Sequence, residues 1–460
     1  MEGSKTRALF DTETGGSMSY KRKDRGTQDL FTELFPYGGK LDNNNRWLKI
    51  SKMIPWEELE KKYATYFSDR GRPGIDGRLV VGLFLLKHMS GKSDVEVVLE
   101  LQENPYWQSF CGLEGFANAE TIDASSLSRL RKRLGTRYVK ELETLTYGVL
   151  IEKKIIKAKG MLVDGTVIPE NITFPTDVGL LNDARVWLVN NIKRIGKAIG
   201  ERYRTYSRKG HKTYLNFAKA KRKTKKQIKK ARKQMLQYVR RNLSQLKEAI
   251  EHARKRGMQR LLIIGGKLKT AEKIFEQQLK MYQEKTNRIA DRIVSFPRPW
   301  VRPIKRGKNG KPVEFGAKSA MSHVDGFLFL DEHNHDNYSE ARTDIVRKQL
   351  LNYEQRFGKK PPSFTGDQLY GNRGNRELLE EEHGIKTSFV RLGKKRKGSS
   401  VMNQWFRRKQ KERNRIEGHF GHGKQHYRLD RSWYHGRDGS EIWTRYSILA
   451  MNLKTALARA

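Results

Sequence analysis

Near residue 155 the chain changes texture, and that change constrains the fold more than any other feature. The segment KIIKAKGMLVDGTVI, residues 154–168, has the apolar, β-branched content of a buried strand that ends in a turn. Asp164 sits inside it, among residues that argue for burial. A carboxylate there needs a partner, a metal or a set of hydrogen bonds, because burying a bare charge is costly. Any fold for this chain must build a strand at this point and supply Asp164 with a counterpart.

The text before that strand is helical. Residues 1–28 are polar and are expected to be a disordered tail, and residues 29–154 to form an all-α N-terminal domain. Residues 56–67 carry apolar positions at helical spacing, and GRPGIDGR then breaks the chain. The helix expected from Gly77 to His88 is apolar on most faces, as a helix buried in a bundle would be. Ser93 can cap the next helix, whose Val95, Val98, Leu99 and Leu101 are expected to face the same bundle. In DASSLSRLRKRLG, residues 123–135, Asp123 or Ser125 can cap a short helix, Leu127, Leu130 and Leu134 form its stripe, and Gly135 stops it. Arg129, Arg131, Lys132 and Arg133 fall on the remaining faces. That suits a helix lying against DNA, and equally a solvated face of a bundle helix.

After the strand, residues 182–296 are helical and basic. Ala184, Leu188, Ile192, Ile195 and Ile199 mark one helix, and Met235, Val239, Leu243, Leu246 and Ile250 another. A third is expected from about Leu268 to Ile293, giving a long antiparallel helical hairpin. Its leading edge, KAKRKTKKQIKKARK (219–233), holds ten Lys or Arg in fifteen positions. Like charges at that spacing repel, so an anionic partner is expected, with Lys221, Arg222, Lys225 and Lys226 as candidate DNA contacts. Strand text returns at 311–324 and 326–334, separated by Asp325-Gly326, a strong hairpin signal. A helix with Ala341, Ile345, Leu350 and Leu351 follows, then a strand PSFTGD ending on Asp367. A short helix around Glu377–Glu382, a strand at 385–392, the basic linker GKKRKGSS and a final helical stretch complete the order.

Composition narrows the partner and the compartment. Lys and Arg number 94 against 51 Asp and Glu, a formal net charge of +43. Charge of that size opposes compaction unless a polyanion meets it, and nucleic acid is the usual one. Cys111 is the single cysteine, which excludes a disulfide framework and a Cys-based zinc finger. The N-terminal text has no signal-peptide core and no run approaches 18 apolar residues, so a soluble, cytoplasmic, nucleoid-associated protein without membrane contact is expected.

With the helical stretch removed, the order of elements resembles a ribonuclease H-like α/β core interrupted by a large helical insert. Residues 155–181 and 297–460 would form the core, and 182–296 the insert. Asp164, Asp367 and Glu417 fall where such cores carry their three carboxylates. Acids grouped there can share two Mg²⁺ ions roughly 3.5–4 Å apart for in-line displacement at phosphorus, with Mn²⁺ able to substitute. Arg413, Glu417 and Lys424 match the Arg-Glu-Lys part of the Tyr-Arg-Glu-Lys pattern of the IS-four/IS-five group of insertion-sequence transposases. GDQLYGN around Asp367, LVDGTVIPENITFPTD around Asp164, EFGAKSAMSHVDG, and the blocks LLKHMSGKSDVEVV, YWQSFCGL and SSLSRLRKRLG are similar to blocks of that family in the same order. Two departures stand out: Gln410 occupies the position of the family Tyr, and the insert has no counterpart.

The resemblance implies a transposase that binds double-stranded terminal repeats, cuts them and joins them to target DNA as a homodimer. It implies Asp164, Asp367 and Glu417 as catalytic metal ligands, with Arg413 and Lys424 on DNA phosphate. A structure-selective nuclease on the same core and a domesticated DNA-binding protein remain the alternatives; the first would cut without joining, and the second would need a broken triad. His419, His422 and His426 have a spacing that could hold metal, but phosphate contact or plain surface also accounts for them. Glu170 and Asp177 are possible secondary acids, and His333 and His335 read as loop residues.

Overall fold

A computed structural model describes residue 37 and residues 41–68, 70–71, 73–113, 115, 122–259, 265–305, 313–389 and 400–460, with side chains from 404 in the last stretch. The expected disordered tail, most of the basic linker, and the end of the strand expected at 385–392 lie outside these residues. The first helices are α1 Arg46–Ser51, α2 Trp56–Ala64, α3 Gly77–Ser90, α4 Asp94–Glu103, α5 Pro105–Phe110 and α6 Ala124–Glu152. The strand carrying Asp164 forms as expected, as β1 Met161–Pro169. Helices α7 Asp177–Ile199, α8 Ser207–Lys219, α9 Lys225–Lys255 and α10 Gly265–Gln283 follow. Then come β2 Arg302–Lys305, β3 Val313–Val324, β4 Phe327–Asn334, α11 Thr343–Phe357, β5 Ser363–Thr365, α12 Arg373–Arg376, β6 Lys386–Thr387, α13 Ser400–His426 and α14 Gly439–Leu457. The class is mixed α/β.

Among the described residues the strands form a six-stranded sheet in the order β2-β3-β1-β5-β6, with β4 paired to β3. β1, β5 and β6 run parallel, and β2 is antiparallel to β3. The β3–β4 turn is the expected tight one, with Asp325 at φ 50° and Gly326 at φ 88°, the positive pair that a type I′ hairpin requires. The strand expected to end on Asp367 stops at Thr365, and the helix expected at Glu377–Glu382 is a π-helical turn following α12.

The chain divides into two compact units. The first holds the described residues up to Thr166, Ser319–His333 and Ser339–Ala460. In it α3 is apolar all round because α2, α4, α6 and α14 surround it. Gly82 on α3 admits Cys111, whose Sγ would lie 2.7 Å from any Cβ added there. Ser93 and Glu96 form a reciprocal capping box at the start of α4. The α4 stripe differs from the expectation: Val97, Val98 and Leu101 are buried, whereas Val95 and Leu99 are 58% and 52% exposed. At 3.6 residues per turn, position 97 rather than 95 or 99 shares a face with 98 and 101.

Asp123 caps α6 by accepting from the Ser125 N–H. Gly135 breaks the helical backbone at φ 62°, but the helix resumes at once and runs to Glu152, so the expected stop is a kink. Arg131 requires a correction as well. It is buried rather than outward, 2.7 Å from Asp94 and 3.8 Å over the ring of Tyr434, because aromatic text far along the chain folds back onto this face. Arg129, Lys132 and Arg133 remain exposed.

The second unit holds Val167–Lys318 and Asn334–Tyr338. The expected stripes meet: Leu188, Ile192 and Ile195 of α7 and Met235, Val239 and Leu246 of α9 share one core, with Ala271 and Ile274 of α10. The expected hairpin is a larger assembly, with α8 packed on α7 and α9, and the third helix ends at Gln283 rather than near Ile293. Glu170 is fully buried, held by Arg298 at 2.7 Å, His335 at 2.5 Å and Trp300 at 3.2 Å. Asp177 accepts from Arg292 at 2.8 Å and Gln278 at 3.0 Å. Neither is left over for chemistry, and His335 is the loop residue expected, just past β4, buried against Glu170. No described helix is long and apolar enough to cross a membrane.

The Arg131 contacts set a test of this packing. Arg131→Ala leaves Asp94 with Lys87 alone, at 2.8 Å, and removes the guanidinium stacked on Tyr434, so a loss of about 1–2 kcal/mol is expected in chemical denaturation. Lys132→Ala, one position on and exposed, should change stability by less than about 0.5 kcal/mol.

Candidate active site

Parallel register brings the first two acids together. In the first unit Met161 pairs with Phe364 and Leu162 with Thr365. Each acid therefore stands two residues beyond the same registered pair, Asp164 inside β1 and Asp367 just past the carboxyl end of the shorter β5. That is where open α/β sheets present ligand-binding groups. The Gly165 N–H donates to Asp164 Oδ1 at 2.8 Å, and the Leu369 N–H to Asp367 Oδ1 at 2.9 Å. Gly366 is needed between β5 and Asp367, because a Cβ there would come within 2.7 Å of the buried Tyr370 ring.

A fourth acid joins them that sequence reasoning missed. Glu340 lies in the turn before α11, and its carboxyl would be 3.0 Å from a Cβ on residue 165, so the glycine there lets it lie close beside Asp164. Asn372 and Asn375 both donate to the Ala341 carbonyl, at 2.9 and 2.8 Å. The loop after Asp367 and the turn bearing Glu340 are thereby tied to each other. Burial pushes the Asp164 carboxyl up to about 6, the Asp367 and Glu340 charges push the same way, and the Gly165 N–H and Arg413 pull back.

Helix α13 supplies the remaining candidates. Arg413 Nη1 lies 3.9 Å from Asp164 Oδ2 and 3.4 Å from Glu417 Oε1, so one guanidinium stands between two of the predicted acids. Glu417 is exposed and turned to Arg413, and Lys424 lies two turns further along. Gln410, at the expected tyrosine position, donates to the Ser388 carbonyl at 2.7 Å and so ties α13 to the chain after β6. His419 packs on buried His323 with ring centroids 4.4 Å apart, and burial lowers His323 to about 3. His333, in β4, bridges Ser319 and Ser440. Among the described residues no group of three or more His, Cys, Asp or Glu is arranged to hold a metal ion. That applies to the histidines of α13 and to the acids alike.

Other features stand apart from these acids. A cleft of about 570 Å³ in the first unit is lined by Glu143, Asp331, Arg356, Glu441 and Arg445, with Arg445 paired to both glutamates. Lys221, Arg222, Lys225 and Lys226 are exposed in the second unit.

The position of Asp164 has a pH signature. Its folded pKa lies above the ordinary 3.8, so the native protein keeps a proton that the unfolded chain releases between about pH 4 and 6. Above that window the ionised carboxylate weighs against folding. Asp164→Asn should therefore stabilise the protein at pH 7 by up to about 3 kcal/mol, a gain that fades as pH falls from 6 to 4. Denaturant titrations at both ends of the window measure it, and a variant less stable at pH 7 would count against the burial.

Comparisons with known proteins match two stretches of the chain. A model described as a transposase domain (DUF772) matches residues 36–133, and one described as a transposase DDE domain matches residues 364–454. Asp367, Arg413, Glu417 and Lys424 fall inside the second match, and Asp164 outside both. An uncharacterized protein, ORF8 in the nfe locus of Rhizobium meliloti, is 33% identical over 189 residues, 40% of this chain and 90% of that protein. No solved structure matches the chain. The chain belongs to one family with that Rhizobium meliloti protein, and the two domains it matches are those of a DDE transposase.

Proposed function

We propose that the chain binds the terminal inverted repeats of a DNA element, cuts the strands at the element ends and joins the 3′ ends to target DNA. In this reading the core is ribonuclease H-like and Asp164, Asp367 and Glu417 are the catalytic carboxylates. The observation that supports it most is the registered pair Asp164–Asp367, with Asp164 withdrawn from water beside two other acids.

The donor chemistry, not a ready-made three-ligand group, suits a hard divalent cation: Asp164 and Asp367 offer carboxylate oxygens, and the ionised form of Asp164 lacks solvent. Asp164, Asp367 and Glu417 would hold Mg²⁺, or Mn²⁺ in its place. When bound, such ions activate an attacking water or 3′-hydroxyl and stabilise the departing oxygen. The chain's own residues set the stage. The Gly165 and Leu369 N–H groups fix one oxygen of each aspartate, and Glu340 adds charge beside Asp164. Arg413 and Lys424, on one helix with Glu417, are placed to take DNA phosphates by charge-assisted hydrogen bonds. Arg129, Lys132 and Arg133 offer an exposed basic face on α6 for the element ends, whereas Arg131 supports the fold from inside. Two ends must be processed together, so the working form is a homodimer on double-stranded DNA.

Incubation with Mg²⁺ and DNA carrying the element ends tests this. The parent protein should cut and join, and Asp367→Asn should lose cutting by at least about 10³-fold while binding the ends within about threefold of the parent. Cutting without joining would favour a structure-selective nuclease, and full activity of the variant would remove Asp367 from the chemistry.

A further inference from the structure

The basic edge of the second unit is not used by the active-site reading, and its energetics ask for a partner. From Arg202 to Lys247 the sequence contains no Asp or Glu. On α9, Lys225, Lys226, Lys229, Lys230 and Lys233 are all exposed, and Lys221 and Arg222 are exposed just before it. Among the described residues none of these seven has an acidic partner; the first acid on the helix is Glu248. By contrast, Arg232 turns inward, to Asp177 and the Gln278 carbonyl. The lysines repel each other at three and four spacing and oppose the dipole of their own helix. At the helix start the Thr224 and Gln227 amides are taken by their capping box, and the exposed charge that an anion would meet is on the side chains.

We propose that this edge is a second, sequence-independent binding surface for the sugar-phosphate backbone of duplex DNA, separate from the contacts that read the element ends. Three helical turns of lysine span roughly 12–15 Å, and a duplex presents one phosphate charge per 1.7 Å of its axis. Lysine meets phosphate as a point charge, whereas base edges are read mainly by bidentate Arg, Asn or Gln; six of the seven exposed cations here are Lys, with Arg222 the exception, while Gln227 is in the cap and Arg232 points inward. Single strands would call for aromatic platforms, yet Phe217 and Tyr238 are packed against the core of the unit. A membrane surface would call for an apolar face, and Ile228, 39% exposed, is the lone apolar residue of this edge.

The inference rests on the reading that the chain works on DNA, and its test needs no cleavage, so either can fail alone. The full chain carrying Lys225→Gln, Lys226→Gln, Lys229→Gln and Lys230→Gln is titrated without divalent ions against a 30-bp duplex lacking the element ends, over a series of NaCl concentrations. The slope of log K against log salt should fall by about 3–4 and affinity at 0.1 M salt by tenfold or more, while the four Lys→Arg changes preserve both. Thermal unfolding without DNA should be unchanged or raised, because the removed charges opposed their own helix. If the quadruple variant is unfolded, Lys225→Gln with Lys229→Gln should still lower the slope by about 2. A slope unchanged from the parent overturns the proposal, as does loss of binding to oligo-dT or anionic vesicles with duplex binding kept.

Discussion

Two like charges, each two residues beyond one registered pair of parallel strands, are held together against their repulsion, and the rest of the first unit is arranged around that. The pairing of Leu162 with Thr365 fixes it. A slip of one residue between β1 and β5 would turn one aspartate to the opposite face of the sheet. Small residues then make the approach possible: Gly165 admits the Glu340 carboxyl, and Gly366 admits the Tyr370 ring that shapes the turn after β5. Asn372 and Asn375, both bonded to the Ala341 carbonyl, keep the two acid-bearing loops from separating. Arg413 supplies the cation within reach of Asp164 and Glu417.

Elsewhere the chain treats charge in the opposite way. Buried ions are answered within the protein, Arg131 by Asp94 and Tyr434, and Glu170 by Arg298, His335 and Trp300. Such pairs are costly to desolvate even together, and removing one member costs more because it leaves a bare buried charge. Among the described residues, the acids around Asp164 and the lysines at the start of α9 are places where like charges are gathered with few counter-ions, one set negative and the other positive. In the proposed reading a phosphodiester substrate with its divalent ions would answer the first, and a phosphate backbone alone the second.

The sequence made some of this legible and hid the rest for physical reasons. A buried strand around Asp164, the Asp325-Gly326 hairpin, the Asp123 cap and the stripes of α7 and α9 each rest on local rules of period, turn and capping, and each is present. Arg131 was placed outward because periodicity sees only its own helix, and Tyr434 is some 300 residues away. Val95 and Leu99 were counted toward the core because they are apolar, although their angle on the helix takes them to solvent. Glu340 carries no local signal, since an acid in a turn is ordinary until tertiary structure sets it against Gly165. The Arg413–Glu417 spacing was legible, but its contact with Asp164 was not, because it joins a late helix to an early strand.

The central claim, that Asp164 and Asp367 form a divalent-ion site, is tested most directly by iron-mediated backbone cleavage. Fe²⁺ takes hard-oxygen sites that otherwise hold Mg²⁺ and, with ascorbate and peroxide, cuts the polypeptide beside its ligands. Fragments ending near residues 164 and 367 are expected, suppressed by excess Mg²⁺ and lost in Asp164→Asn. Cleavage confined to the helix bearing His419, His422 and His426, or unaffected by Mg²⁺, would contradict the claim.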